Sequence, residues 1–168
     1  MPPPLRAAAA LGIAYRPMSD ADLPFVEALF ASTRVEELAI TGWPPEMIKA
    51  FLSQQHRAQH HHYRTFHPDA EWLIIERGGT PMGRLYVDEA NGKARIIDIS
   101  LLPEVRGQGF GQAILTDIID AAAEAGKNVT LHVEMRNPAR RLYERLGFTL
   151  VRDTGLYLEM ERYFAGKR

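Results

Sequence analysis

Three glycines at alternate positions follow an apolar segment near the middle of the chain. Gly107, Gly109 and Gly111 come after residues 96–102, and Pro103 ends that segment because proline has no N–H to give to a sheet. Glycine allows a positive φ and lets a ligand approach the peptide N–H groups closely. The next apolar residues have helical spacing, and the first N–H groups of a helix are unpaired and lie at its positive end. The pattern predicts a strand, a phosphate-binding loop and a helix.

Three kinds of phosphate loop can be compared with this segment. A Walker loop needs Lys-Ser or Lys-Thr after its glycines, and neither pair is present there. A dinucleotide loop needs a glycine where Gln112 stands, although Glu134 lies at a tolerable distance for the acidic partner. The third form, Arg/Gln-x-x-Gly-x-Gly/Ala, is filled in register by Arg106, Gly109 and Gly111. A tight turn without a ligand is the alternative, but such a turn seldom needs three alternating glycines behind an arginine.

A second motif, NPARRLYERLGF, occupies residues 137–148. Its apolar positions predict a short helix that ends at Gly147, in which Tyr143 would by itself be a core tyrosine with a satisfied hydroxyl. The two motifs together, in this order and at this distance, resemble the GNAT superfamily of N-acetyltransferases. The second GNAT motif is Asn-x-x-Ala-x-x-Leu-Tyr-x-x-x-Gly-Phe, whereas Asn137 here precedes Ala139 by two residues instead of three. The resemblance covers about residues 96–148.

The resemblance implies a binding site for acetyl-CoA. In the family, the co-substrate lies in a V-shaped cleft between the strand before the glycine loop, here residues 96–102, and the next strand, here residues 129–133. Pantetheine would pair with free backbone groups of the first strand, and the pyrophosphate would lie on the N–H groups of the loop. The implied cofactor-binding residues are Ile99, Leu101, Leu102, Arg106, Gly107, Gln108, Gly109, Phe110, Gly111, Asn137 and Tyr143.

The resemblance also implies catalytic roles. Tyr143 resembles the general acid of the family, which protonates a thiolate whose intrinsic pKa is near ~8.5. A backbone N–H near Leu101 would stabilise the oxyanion. The attacking amine must be neutral, so a base is expected, and Asp98 is the first candidate. Strand alternation puts Asp98 on the side opposite Ile99 and Leu101, so the alternative is a structural acid paired with an arginine. The other candidates for the base are Glu71, Glu134 and His62.

The helix predicted over residues 45–66 has an inward face that changes character along its length. The face is apolar at Leu52 and then falls on Gln55, Gln59 and His62. Buried amides and imidazoles need partners, so these three residues are predicted to face a wet substrate pocket. Hydrogen bonds inside the protein or a dimer contact are the alternatives.

The same helix is rich in histidine. His56 and His60 have the i, i+4 spacing of a helical zinc pair. Arg57 stands where such a motif has glutamate, and no third ligand follows at a motif spacing. A solvated or pocket-lining histidine cluster is favoured over a metal site.

Hydrophobic patterning predicts one domain over residues 13–168 after a loose, Pro- and Ala-rich arm over residues 1–12. The predicted strands cover residues 13–17, 71–76, 82–88, 93–102, 129–133, 148–152 and 156–163. With the resemblance, the fold class is α/β (α+β), the GNAT fold. It has a mixed central sheet of about seven strands, mostly antiparallel with a parallel splayed pair, flanked by about four helices.

Composition limits the remaining function classes. The 168 residues carry a formal net charge of -1 and are 46% hydrophobic, which gives no argument for nucleic acid or a membrane as partner. The chain has no cysteine, which fits a reducing cytoplasm and means that acetyl transfer would be direct. The leading expectation is an acetyl-CoA-dependent N-acetyltransferase acting on a primary amine of a small molecule or peptide.

Other functions stay open at this point. They are a non-catalytic acyl-CoA sensor, an acetyltransferase for protein N-termini or lysines, and a structural domain. The intact glycine loop argues against the structural domain. Family members often pair through their C-terminal strands, so the resemblance also allows for a homodimer.

Overall fold

A seven-stranded sheet forms the centre of the structure, a computed structural model that describes residues 2–134 and 137–166. The strands are β1 (Ile13–Pro17), β2 (Glu71–Arg77), β3 (Thr80–Ala90), β4 (Lys93–Leu101), β5 (Val129–Glu134), β6 (Thr149–Asp153) and β7 (Tyr157–Arg162). Their order across the sheet is β1-β2-β3-β4-β5-β7-β6. Neighbouring strands are antiparallel except β4 and β5, which are parallel. This mixed sheet confirms the predicted fold class.

Six α-helices lie within the described residues. They are α1 (Ala7–Ala10), α2 (Leu23–Ser32), α3 (Val35–Ala39), α4 (Pro45–Phe66), α5 (Phe110–Glu124) and α6 (Arg140–Arg145). The prediction of about four helices missed the two short ones, α1 and α3. Single 3-10 turns precede α2, at Asp20–Asp22, and α5, at Pro103–Val105. Among the described residues, no helix is both long enough and apolar enough to cross a membrane.

Different helices cover the two faces of the sheet. On one face, the buried side chains of α5 join Leu85 and Leu131 in the main apolar core, with α1 and α6 beside them. On the other face, α2 and α4 pack together, and Tyr63 of α4 lies against Tyr86 of β3. Because side chains alternate along a strand, Leu85 and Tyr86 point to opposite faces.

The parallel strands β4 and β5 separate soon after they meet. Their paired positions are Ala94 with Val129, Arg95 with Thr130, and Ile96 with Leu131. Beyond Ile96, β4 continues to pair with β3 on its other side but has no register with β5 in the described residues. The edge of β4 that faces β5 is therefore left without a strand partner, as the predicted V-shaped cleft requires.

The N-terminal segment is docked, which corrects the prediction of a loose arm. The backbone N–H groups of Arg6, Ala7 and Ala8 donate to the carboxylate of Asp117 on α5, at 3.0, 2.8 and 3.0 Å. Ala8 is fully buried, and the Arg6 guanidinium also pairs with Glu124 at 2.6 Å. The first N–H groups of α1 need an acceptor and the buried Asp117 needs donors, so each satisfies the other. Met1 of the predicted arm, and the last two residues of the predicted domain, 167 and 168, lie outside the described residues.

Candidate active site

The glycine loop between β4 and α5 presents unpaired backbone N–H groups. Gly107 has a φ of +73° and Gly109 a φ of +85°, in the left-handed region that favours glycine. A Cβ added at either position would meet nothing within 4 Å, so the space over the loop is open. No described residue accepts a backbone hydrogen bond from the N–H of Gly107, Gln108 or Gly109. Because these groups lie at the positive end of α5, the loop fits an anion such as a pyrophosphate.

Two side chains of the loop form hydrogen bonds with backbone carbonyl groups that precede the loop and so stabilise its conformation. Arg106 Nε donates to the carbonyl oxygen of Leu101 at 2.9 Å, and Gln108 Nε2 donates to that of Glu104 at 3.1 Å. The Phe110 ring is buried in the core, with 4% exposed. Phe110 is therefore suited to contact a phosphate only through its backbone. The exposed Arg106 and Gln108 each keep further side-chain N–H donors available.

The end of β4 leads into this loop. Ile99 and Leu101 are half-buried on the α5 face, and a Cβ added to Gly111 would lie 3.8 Å from Leu101 Cδ1, an ordinary contact. The N–H of Leu102 donates to the carbonyl oxygen of Met82 at 2.9 Å. Because that N–H is already used within the chain, the structure counts against the predicted pairing of Leu102 with pantetheine through its N–H.

Tyr143 on α6 is buried next to the cleft. It is 7% exposed, and its ring packs edge-on against Phe148 with centroids 5.8 Å apart. Burial raises the pKa of its hydroxyl to about 12, and the negative charge of Asp98 adds to the shift. The hydroxyl is therefore protonated at neutral pH, and it makes no hydrogen bond with a described residue. Asn137 lies at the start of the same helix, where its Oδ1 accepts from the N–H of Ala139 at 2.9 Å.

Asp98 lies on the α4 face of the sheet, opposite the side of Ile99, as strand alternation predicts. Its Oδ2 accepts hydrogen bonds from Arg84 at 2.8 Å and from the Tyr63 hydroxyl at 3.2 Å, and its Oδ1 accepts from Ser100 at 2.8 Å. Three donors engage both oxygens, so the carboxylate is poorly placed to receive a proton from a substrate amine. These contacts fit the alternative role of Asp98, a structural acid paired with an arginine, and they count against Asp98 as the catalytic base.

Arg84 is a functional residue that the sequence reasoning missed. It lies in β3 with 3% of its surface exposed, and its Nη2 donates both to Asp98 at 2.8 Å and to Gln59 Oε1 at 2.9 Å. The available signal was a basic residue inside the apolar strand β3, beside an acidic residue in the predicted neighbouring strand β4. A buried charge needs a partner, and Asp98 was the acid within reach.

A groove lies between α4 and the C-terminal end of α2 with the residues that follow it. It has a volume of about 280 Å³ and is lined by Phe30, Arg34, Gln55, Ala58 and Gln59. Two of the three predicted substrate residues, Gln55 and Gln59, therefore line one groove. At its rim, Arg34 Nη2 lies 3.1 Å from Oε1 of Glu134, the last residue of β5.

The histidines of α4 are arranged differently from the prediction. His62 is exposed and stacks on Phe66 with ring centroids 4.6 Å apart, so it does not line the groove. The buried histidine is His56, 3% exposed and beside Phe30, and its burial lowers its pKa to about 4. His56 is therefore neutral at physiological pH. Among the described residues, no group of three histidines or carboxylates is placed to hold a metal ion.

Comparison with known proteins identifies related chains. Over 100 residues, the chain is 28% identical to a Bacillus subtilis protein assigned as a ribosomal protein bS18-alanine N-acetyltransferase, covering 58% of this chain and 66% of the relative. Over 60 residues it is 38% identical to the ribosomal protein bS18-alanine N-acetyltransferase of Haemophilus influenzae, covering 35% and 41% of the two chains. The matches thus span less than two thirds of each curated relative.

The fold is shared with solved structures. The crystal structure of the PaiA N-acetyltransferase from Thermoplasma acidophilum in complex with coenzyme A superposes with a TM-score of 0.66 at 19% identity, covering 90% of this chain and 99% of that one. The family model described as acetyltransferase (GNAT) family matches residues 33–148, which is more than half of the chain. The match includes both motifs and confirms the resemblance drawn from them. The chain belongs to the acetyltransferase (GNAT) family.

Proposed function

We propose that this protein is an acetyl-CoA-dependent N-acetyltransferase that transfers acetyl directly to the α-amino group of a peptide or protein. The observation that carries the proposal is the separation of β4 from β5 beyond Ile96, with the open glycine loop at one end of the cleft and Tyr143 beside it. The free edge of β4 offers backbone partners to pantetheine, and the unpaired N–H groups of the loop offer a site for its pyrophosphate. Holding the thioester and the amine in one cleft supplies proximity.

The proposed acceptor follows from the curated relatives. Both are named for acetylation of an alanine of ribosomal protein bS18, and both matches are partial, so they support the chemical class of acceptor and not a particular protein. An α-amino group has an ordinary pKa of about 7.7–8.0, against about 10.4 for lysine, so it is neutral more often at physiological pH. Such an acceptor needs less help from a base.

The best-placed base is Glu134. It ends β5, with its side chain on the face opposite the buried Val133, and its carboxylate meets Arg34 at the rim of the groove. Its side chain is 57% exposed, so a water molecule has room to relay the proton. Asp98, by contrast, is enclosed by Arg84, Tyr63 and Ser100.

Replacing Tyr143 by phenylalanine is expected to lower kcat by about 10²-fold, the low end for general acids, because a thiolate already leaves readily. The dissociation constant for acetyl-CoA should change little, since the ring and its packing on Phe148 remain. Tyr157→Phe, on an exposed tyrosine of β7, is the matched control and should be neutral. Loss of binding together with activity would show that Tyr143 is only a core residue.

The proposal is tested first by a thermal-shift titration with acetyl-CoA and CoA, because a ligand that binds the native state raises its Tm. Gly109→Trp is expected to remove this shift and to raise the Kd by about 10- to 100-fold, since it fills the loop and displaces charge-assisted hydrogen bonds. Gly92→Trp is the matched control, because Gly92 also has a positive φ, +72°, with open space around it. An acetyl-CoA shift that survives in Gly109→Trp would contradict the cofactor assignment.

We also propose the cytoplasm as the site of action and a homodimer as the assembly. The first is supported by relatives named for a ribosomal substrate. The second is supported by the edge strand β6, on which Leu150 and Val151 are 49% and 47% exposed. Sedimentation of the wild type and of a Val151→Asp variant checks the assembly. A wild type with the mass of a monomer would contradict the homodimer, and a variant that stays dimeric would exclude Val151 from its interface.

A further inference from the structure

Next to the groove, a buried arginine holds one of the lining residues, Gln59, in one orientation. Arg84 Nη2 reaches Asp98 on one side and Gln59 Oε1, 2.9 Å away, on the other. An arginine side chain has donors only, so the atom of the Gln59 amide that faces it must be the oxygen. A glutamine without this neighbour could present either end of its amide.

The orientation of the oxygen fixes that of the nitrogen. Gln59 Nε2 lies on the far side of the planar amide, away from Arg84, and Gln59 lines the groove. Among the described residues, none is recorded as accepting a hydrogen bond from Nε2. The groove thus presents two N–H donors from Gln59, whereas the guanidinium of Arg34 on the other wall already donates to Thr33 and Glu134.

The N–H donors of Gln59 fit a ligand that brings an acceptor atom. The groove lies on the same face of the sheet as Asp98 and Glu134, because Gln59 is joined to Asp98 through Arg84 and Arg34 contacts Glu134. An amine that enters the cleft from this side passes Gln59. In an α-amino acyl group the carbonyl carbon is two bonds from the amine nitrogen, whereas a lysine side-chain amine ends a four-carbon stem.

We propose that Gln59 Nε2 binds the carbonyl oxygen of the first residue of the acceptor, so that the enzyme selects a free peptide N-terminus over a lysine side chain or a simple alkyl amine. This inference rests on the proposed function. Gln59 is in this role a specificity-determining residue. Arg84 is a positioning residue that sets the direction of its amide, and Asp98 positions Arg84 in turn.

The direct test is Gln59→Glu, assayed with three acceptors: a lysine-free peptide with an N-terminal alanine, an N-blocked lysine peptide, and butylamine. The change keeps an oxygen toward Arg84 and replaces the donors by a second oxygen. The kcat/KM for the alanyl peptide, relative to butylamine, is expected to fall by about 10- to 100-fold, mainly through KM. The rates with butylamine and the Kd for acetyl-CoA should stay within about twofold, because neither ligand uses Nε2.

Two further variants separate recognition from stability. Gln54→Glu adds the same charge on an exposed turn of α4 and should leave the ratio unchanged. Gln59→Met removes both donors without adding charge and leaves Arg84 paired with Asp98, so it should lower the ratio as Gln59→Glu does. If Gln59→Glu does not fold, Gln59→Met decides the question.

The outcomes are distinct from those that test the proposed function. A wild type that turns over the alanyl peptide, with the same peptide-to-butylamine ratio in both Gln59 variants, overturns this inference and leaves the enzyme assignment intact. A wild type that prefers the blocked lysine peptide also overturns it. A wild type that shows no acetyl-CoA shift and no turnover of any amine overturns the proposed function.

Discussion

Replacing Glu134 by glutamine is expected to lower kcat by about 10²- to 10³-fold, within the usual range for a general base. The amide keeps the size of the side chain and an oxygen for Arg34, but it has no capacity to take a proton from the amine or from a bridging water. Raising the pH should restore part of the rate, because a larger fraction of the acceptor is then neutral without help. Steady-state kinetics with an alanyl peptide between pH 7 and 9 measures both effects.

The control for this experiment is Glu89→Gln. Glu89 is also an exposed glutamate at the end of a strand, paired with Lys127 at 2.7 Å, and its loss should leave kcat within about twofold because surface pairs contribute little. An unchanged kcat in Glu134→Gln would exclude it as the base. A rate loss that higher pH does not reduce would show that Glu134 acts through its contact with Arg34 instead.

Asp98→Ala is expected to destabilise the protein by about 3–5 kcal/mol, because it leaves the buried guanidinium of Arg84 without a counter-ion. Urea unfolding measures the change as a lower midpoint. The double variant Asp98→Ala/Arg84→Met removes both charges and should recover much of the loss, since an apolar replacement for a buried pair is often neutral.

The same variants separate the two roles that Asp98 was assigned. If Asp98 is a structural acid, the single variant should have a low stability and the double variant should regain much of the lost stability. A catalytic base predicts a folded single variant of wild-type stability with kcat lowered by about 10²-fold or more. The double variant should also show a raised KM for the alanyl peptide, because Gln59 is no longer held by Arg84.

Local patterns along the chain predict the elements of this fold closely. The helix predicted over residues 45–66 is α4, Pro45–Phe66, because two prolines mark its start and one helical face can be followed along its length. The glycine loop, the parallel return to β5 and the C-terminal hairpin follow from similar short-range signals. Each depends on residues that are neighbours in the sequence.

Partners distant in the sequence were not predicted. The arm was expected to be loose because its acceptor, Asp117, is more than a hundred residues away. The inward face of α4 was predicted to carry Gln55, Gln59 and His62. The first two line the groove, but the structure leaves His62 exposed and buries His56, because α4 packs against α2 there. Asp98 was the first candidate for the base, with a structural acid paired with an arginine as the alternative. The arginine, Arg84, could not be named because only strand pairing brings the two residues together.

Because β4 and β5 pair over only three positions, the two halves of the sheet, here called plates, can move relative to one another. One plate is β1 to β4 and the other is β5, β7 and β6, and three paired positions of the parallel strands join them at one end. The open end has no ladder to resist breathing, so its amides should exchange with solvent through small opening motions. A pantetheine arm laid between the plates would act as an additional strand and couple them. Binding of acetyl-CoA should then slow amide hydrogen exchange in the strands on both sides of the cleft. The rigidity of the protein would therefore depend on the concentration of acetyl-CoA.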